Sequence, residues 1–221
     1  MLVGNRMTER PITVTGDTSV SRALELMHGE HVRRLPVVNK AGQLVGIVSE
    51  LDLLKVSPSP ATSLSVYEIP YLLSRITVEE VMTKDVIAVT DDTPLEEAAR
   101  IMADNKIGGL PVLRDGKLVG IITETDLFKL FLELFGAREE AVRVSMLVPE
   151  EKGMLARIAG AVAQMGGNFV ALGSIMGEDP SNRLLMVKVA DVPEEQLVSA
   201  LEDLGLEVLD VRLCTVPGCT D

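Results

Sequence analysis

Two short stretches of this 221-residue chain carry the same set of oxygen-bearing side chains. In GIVSELD, which begins at Gly46, Ser49 precedes Asp52 by three residues. In GIITETD, which begins at Gly120, Thr123 precedes Asp126 by the same interval. A hydroxyl followed three places later by a carboxylate, just before an apolar run, is close to a capping box. The hydroxyl satisfies an orphan amide and the carboxylate sits at the positive end of the helix. The same helix start also offers free N–H groups and oxygen acceptors to a phosphate or a ribose hydroxyl. Local spacing leaves both readings open.

A second feature bears on ligand charge. Arg33–Arg34 stand directly before LPVV, and Gly108–Gly109 directly before LPVL. Two guanidiniums can hold phosphate oxygens through bidentate, charge-assisted hydrogen bonds, whereas two glycines offer only backbone amides. The net charge of −12 argues against nucleic acid and anionic membrane surfaces as partners. It also requires that any anionic ligand be held by a local positive patch of this kind.

Catalytic groupings are lacking. His28 and His31 are the only histidines, and neither has a nucleophile–base–acid set around it. No HExxH, paired CxxC, P-loop or strand–GxGxxG–helix motif occurs, so neither a catalytic residue nor a metal ligand set is expected. Cys214 and Cys219, the only cysteines, read as reduced, incidental thiols. Hydrophobic residues make up 47% and charged residues 24%, ordinary for a globular chain of one large or two small domains. MLVGNRMTER holds no signal-peptide stretch and no run is long enough to span a bilayer, which points to a cytoplasmic protein.

The paired boxes are positioned by an internal repeat. MTERPITVTGDTSVSRALELM starts at Met7 and MTKDVIAVTDDTPLEEAARIM at Met82, an offset of 75 residues that holds through RRLPVV and GGLPVL. It shortens by one where NKAG becomes RDG, as a trimmed hairpin turn would give. Each unit reads as β-α-β-β-α. A short extended segment (PITV, VIAV) leads to a helix with Val20, Ala23, Leu24 and Met27, or Leu95, Ala98, Ala99 and Met102, at helical spacing. An LPV strand, a turn and a second strand then end in the capped helix. The connector between the units has a Pro/Ser-rich first half and a possible short helix from Ser65 to Ile76. Phe128, Phe131 and Phe135 share one helical face after the second unit, either as core or as a dimer contact.

From Ala141 the pattern changes to β-α-β-β-α-β, the order of a ferredoxin-like domain. Its first helix is expected to place Leu155, Ile158, Val162 and Met165 on the inner side.

The repeated unit resembles the CBS motif, two of which pair into a Bateman module that binds adenosyl compounds. The last third resembles an ACT domain, a regulatory fold that often binds amino acids, with Gly153 and Asn168 matching its effector loop and Lys152 standing where proline is usual. The whole order is similar to the bacterial acetoin-utilisation CBS proteins, the AcuB family. The resemblance implies an α+β chain: CBS motif 1 at 1–57, a connector at 58–80, CBS motif 2 at 81–136, an ACT domain at 141–215 and a tail at 216–221. It implies composite nucleotide sites, one joining Ile12, Arg33, Arg34 and Pro36 to Thr123 and Asp126. The other joins Val86, Gly108, Gly109 and Pro111 to Ser49 and Asp52. The expected ligand is AMP, ADP, ATP or S-adenosylmethionine, with no required cofactor. The expected partners are a second copy in a homodimer, an amino-acid effector and an unidentified regulated protein.

Overall fold

A computed structural model describes residues 1–56, 75–177, 179–215 and 218–220, which divide into two units, 1–127 and 128–221. The first unit holds β1 (Thr8–Glu9), α1 (Val20–Gly29), β2 (Arg34–Val38), β3 (Leu44–Ser49), α2 (Glu50–Lys55), α3 (Val78–Val81), β4 (Val89–Thr90), α4 (Leu95–Asn105), β5 (Gly109–Arg114) and β6 (Lys117–Thr123). Helix α5 (Glu124–Leu134) begins in the first unit and ends in the second.

The helical periodicity decides which faces turn inward. Val20, Ala23 and Met27 are buried on α1, and Leu95, Ala98 and Met102 on α4. Ser19 caps α1 by accepting from the Arg22 amide at 3.3 Å. The antiparallel hairpins β2–β3 and β5–β6 follow as expected, each with a register shift at matching places, Val37/Val38 and Val112/Leu113. The segment PITV contributes only a single parallel bridge, Val14 to Val37, and of VIAV only the last residue, Val89, enters the short strand β4, which continues to Thr90 beside β5.

The two repeats exchange their leading segments. Val3, fully buried, sits in a short 3-10 turn (Val3–Asn5) held by hydrogen bonds from Val3 N to Thr93 O and from Gly4 N to Asp91 O, both 2.8 Å. β1 then pairs with β6 of the second repeat. The equivalent Val78, also fully buried, joins the core of the first repeat with Val20, Met27, Leu35 and Leu53. Thr83 bridges to Ile47 through two backbone hydrogen bonds. Gly46 and Gly120 permit these crossings, because a Cβ at either would collide with the thioether of Met82 or Met7.

The second unit holds β7 (Ala141–Pro149), α6 (Met154–Gln164), β8 (Asn168–Met176), β9 (Asn182–Ala190), α7 (Glu194–Glu202), β10 (Glu207–Thr215) and β11 (Gly218–Thr220). The antiparallel order β11-β10-β7-β9-β8 is that of a ferredoxin-like sheet with one added edge strand. Val142, Val144, Met146 and Val148 of β7 meet Ile158, Val162, Leu197 and Leu201 in its core.

Several expectations are corrected. Leu155 is 51% exposed; the buried stripe of α6 is Met154, Ile158 and Val162, whose centre lies one residue further round the helix. Phe128 and Phe131 are 69% and 55% exposed, so they are not core. Cys214 is disulfide-bonded rather than a reduced thiol, and the β10–β11 register sets it opposite Cys219. The tail contains strand β11. The helix expected from Ser65 falls outside the described residues up to position 74.

Candidate functional site

The two helix starts answer the question raised by their sequence. Asp52 Oδ2 accepts from Ser49 N at 3.1 Å and from Ser49 Oγ at 2.6 Å, and the Asp52 amide donates to Ser49 Oγ at 3.3 Å. Asp126 Oδ2 accepts from Thr123 N at 2.9 Å and from Thr123 Oγ1 at 2.7 Å. Both are caps built by a single carboxylate oxygen. Asp52 Oδ1 lies 3.6 Å from Lys55 Nζ. Asp126 Oδ1 has no partner among the described residues and remains an available acceptor.

Each cap opens on a cavity completed by the opposite repeat. The larger, about 540 Å³, joins Ser49 and Asp52 to Thr83, Val86, Ile87, Gly108 and Gly109. The smaller, about 410 Å³, joins Thr123 and Asp126 to Thr8, Ile12, Arg33 and Arg34. This composite construction follows from the exchanged segments, since β1 and the Thr83 bridge carry each repeat's lead onto the other's last strand. Pro36 and Pro111 line neither cavity: both are buried in their strands, opposite Ile47 and Ile121. Gly153, with φ of 89°, stands at the N-cap of α6, and Asn168 opens β8; both are exposed.

The arginines differ from expectation. Arg33 and Arg34 border both cavities rather than the smaller alone, because they lie across the divide between the repeats. Arg34 Nη2 reaches to 4.0 Å from Glu124 Oε2, and Arg33 Nη2 donates to Thr125 Oγ1 at 3.4 Å. A side chain on Gly108 would collide with the Arg34 guanidinium, and one on Gly109 would crowd its stem, so the glycine pair of one repeat makes room for Arg34 of the other. Burial draws the Arg34 guanidinium below its ordinary value, and Glu124 opposes this.

Sequence reasoning missed Arg10, His31, Asp85 and Lys106. His31 and Lys106 occupy equivalent repeat positions just past α1 and α4, one at each cavity. Both have φ of 55°, and Arg10 has φ of 49°, in the left-handed region that non-glycine residues rarely enter. Arg10 lines the smaller cavity, whereas its equivalent Asp85 lines the larger. The smaller cavity thus sets Arg10, Arg33 and Arg34 against one carboxylate, Asp126. In the larger, Arg33, Arg34 and Lys106 are balanced by Glu50, Asp52 and Asp85. The repeat alignment, read position by position, carries this signal.

The CBS domain model matches residues 3–59 and 78–133. The chain is 32% identical over 135 residues to a CBS domain-containing protein of Dictyostelium discoideum, covering 61% of this chain and 93% of that one. It is 34% identical over 152 residues to the chloroplastic CBS domain-containing protein CBSX2 of Arabidopsis thaliana, covering 60% of this chain and 64% of that one. Among solved structures, it is similar to that described as an acetoin utilization protein (AcuB) from Vibrio cholerae. The identity there is 33%, the TM-score 0.51 and the coverage 62% of this chain and 93% of that one.

Proposed function

The chain belongs to the CBS-domain family, and from that premise we propose that it is a ligand-sensing regulatory protein rather than an enzyme. Its paired composite cavities form a Bateman module that takes an adenine nucleotide or adenosyl compound: AMP, ADP, ATP or S-adenosylmethionine. The observation that carries this reading is the smaller cavity, whose lining combines three guanidiniums with Asp126, an oxygen of which has no partner among the described residues. A carboxylate oxygen accepts from ribose hydroxyls, and guanidiniums hold phosphate. The phosphorylated nucleotide goes to this cavity, and the charge-balanced one takes a less charged adenosyl ligand or stays empty.

Calorimetric titration with AMP, ADP, ATP and S-adenosylmethionine tests the proposal. Saturable heat with at least one of the four is expected, and silence from all four overturns it.

The second unit favours a second input. Its ferredoxin-like order, with Gly153 at a left-handed N-cap and Asn168 at the next strand start, supports an ACT domain responsive to an amino acid. A thermal-shift screen of the amino acids checks this, and a response to none removes it. The exposed Phe128 and Phe131 support a homodimer that passes the signal to a regulated protein. The similarity to the AcuB structure supports a link to acetoin utilisation. We place the protein in the cytoplasm on its sequence.

A further inference from the structure

The second unit holds a cavity of about 630 Å³ on the sheet face opposite its helices. Alternation along β7 and β9 turns Val144, Met146, Leu185 and Val187 into the core, and Arg143, Ser145, Met186 and Lys188 to this other face. Phe135 closes one wall. It lies against Gly173, where any Cβ would press on its ring, and stacks obliquely on Phe131 with centroids 4.5 Å apart. The lining is mostly apolar and of the size that receives small organic molecules.

Two polar groups in it are incompletely used. Lys188 is only 4% exposed, and its ammonium donates to Gly136 O at 2.8 Å but forms no ion pair among the described residues. Ser145 is 9% exposed, and its hydroxyl has no hydrogen-bond partner among them. Arg143 is already held by Asp210 at 2.6 Å, and Asp210 is shared with Arg212 at 3.0 Å. Burial, reinforced by Arg143 and opposed by Glu139, draws Lys188 below its ordinary value. A buried ammonium that forms no ion pair among the described residues, in a chain of net charge −12, is an unmet requirement for an anion at hydrogen-bond distance.

We propose that this cavity binds a small organic acid with an apolar body, its carboxylate received by Lys188 and Ser145. Free amino acids fit poorly, because their ammonium would face Lys188 and Arg143 while the nearby Asp210 is already engaged twice. Neither Gly153 nor Asn168 lines this cavity, all of whose lining residues belong to the second unit.

Calorimetric titration of the full chain with butanoate, hexanoate and octanoate tests the proposal, with hexanamide as the uncharged isostere of hexanoate. Affinity is expected to rise about fourfold per added methylene. Hexanamide should bind at least about tenfold more weakly than hexanoate, since it forfeits a charge-assisted hydrogen bond. Lys188→Met should weaken octanoate binding by a similar factor, whereas Lys188→Arg should largely preserve it. No saturable octanoate binding, or equal binding of hexanamide and hexanoate, overturns the proposal on the unaltered protein. Undiminished octanoate binding by a folded Lys188→Met variant overturns the assignment of the cation.

Discussion

At the scale of single residues, Asp126 performs two tasks with two oxygens, and they can be separated. Oδ2 closes the cap with Thr123, and Oδ1 is the acceptor proposed for ribose. Asp126→Ala should cost about 1 kcal/mol of stability from the lost cap. It should also weaken AMP binding by about 1–3 kcal/mol from the lost charged hydrogen bond. Asp126→Asn, which can keep a capping oxygen, should retain most of the melting temperature yet still bind AMP poorly. Calorimetry and thermal melts of the two variants distinguish these outcomes, and Asp52→Ala should affect AMP far less. The charge difference between the cavities rests largely on one exchanged pair, Arg10 and Asp85. Asp85→Arg should therefore raise the number of AMP molecules bound per chain, and Arg10→Asp should weaken the original site by about 1–3 kcal/mol. An unchanged stoichiometry in Asp85→Arg would show that local charge does not choose the site.

At the scale of elements, burial rather than hydrophobicity decides which residue matters. On α6, Ile158→Ala should cost about 2–5 kcal/mol, because it leaves a cavity in a close-packed core. Leu155→Ala, at an exposed position, should change stability by no more than about 0.5 kcal/mol. Chemical denaturation of the pair measures the difference. The same contrast explains what was legible from sequence. Spacing in α1 and α4 revealed their buried faces, and Ser49–Asp52 and Thr123–Asp126 announced their caps, since these are local patterns. The docking of Val3 and Val78 was not legible, because each packs against residues distant in sequence and neither belongs to a periodic run. The double role of Arg34 was hidden for a related reason: it depends on the glycine pair of the other repeat, which reads locally as a mere turn signal. Leu155 was misplaced because its spacing satisfies a helical face almost as well as that of Met154.

At the scale of the whole molecule, exposed apolar surface carries the prediction of self-association. Phe128→Ser with Phe131→Ser should shift the mass measured by light scattering from dimer to monomer. A monomeric unaltered protein at micromolar concentration would remove the homodimer altogether. The exchange of leading segments has a further consequence, which concerns synthesis rather than recognition. Thr8 is paired only when Ile121 is available, and Val3 only when Thr93 is. A nascent chain must therefore carry Val3 and its neighbours unsheltered until the second repeat has emerged. Neither repeat is a finished folding unit, and closure must wait on contacts of long sequence separation, which slow folding relative to the local helices. During that interval the leading segment of one chain faces an equivalent groove on any neighbouring chain, and the contacts that complete the monomer are the same ones that would entangle two.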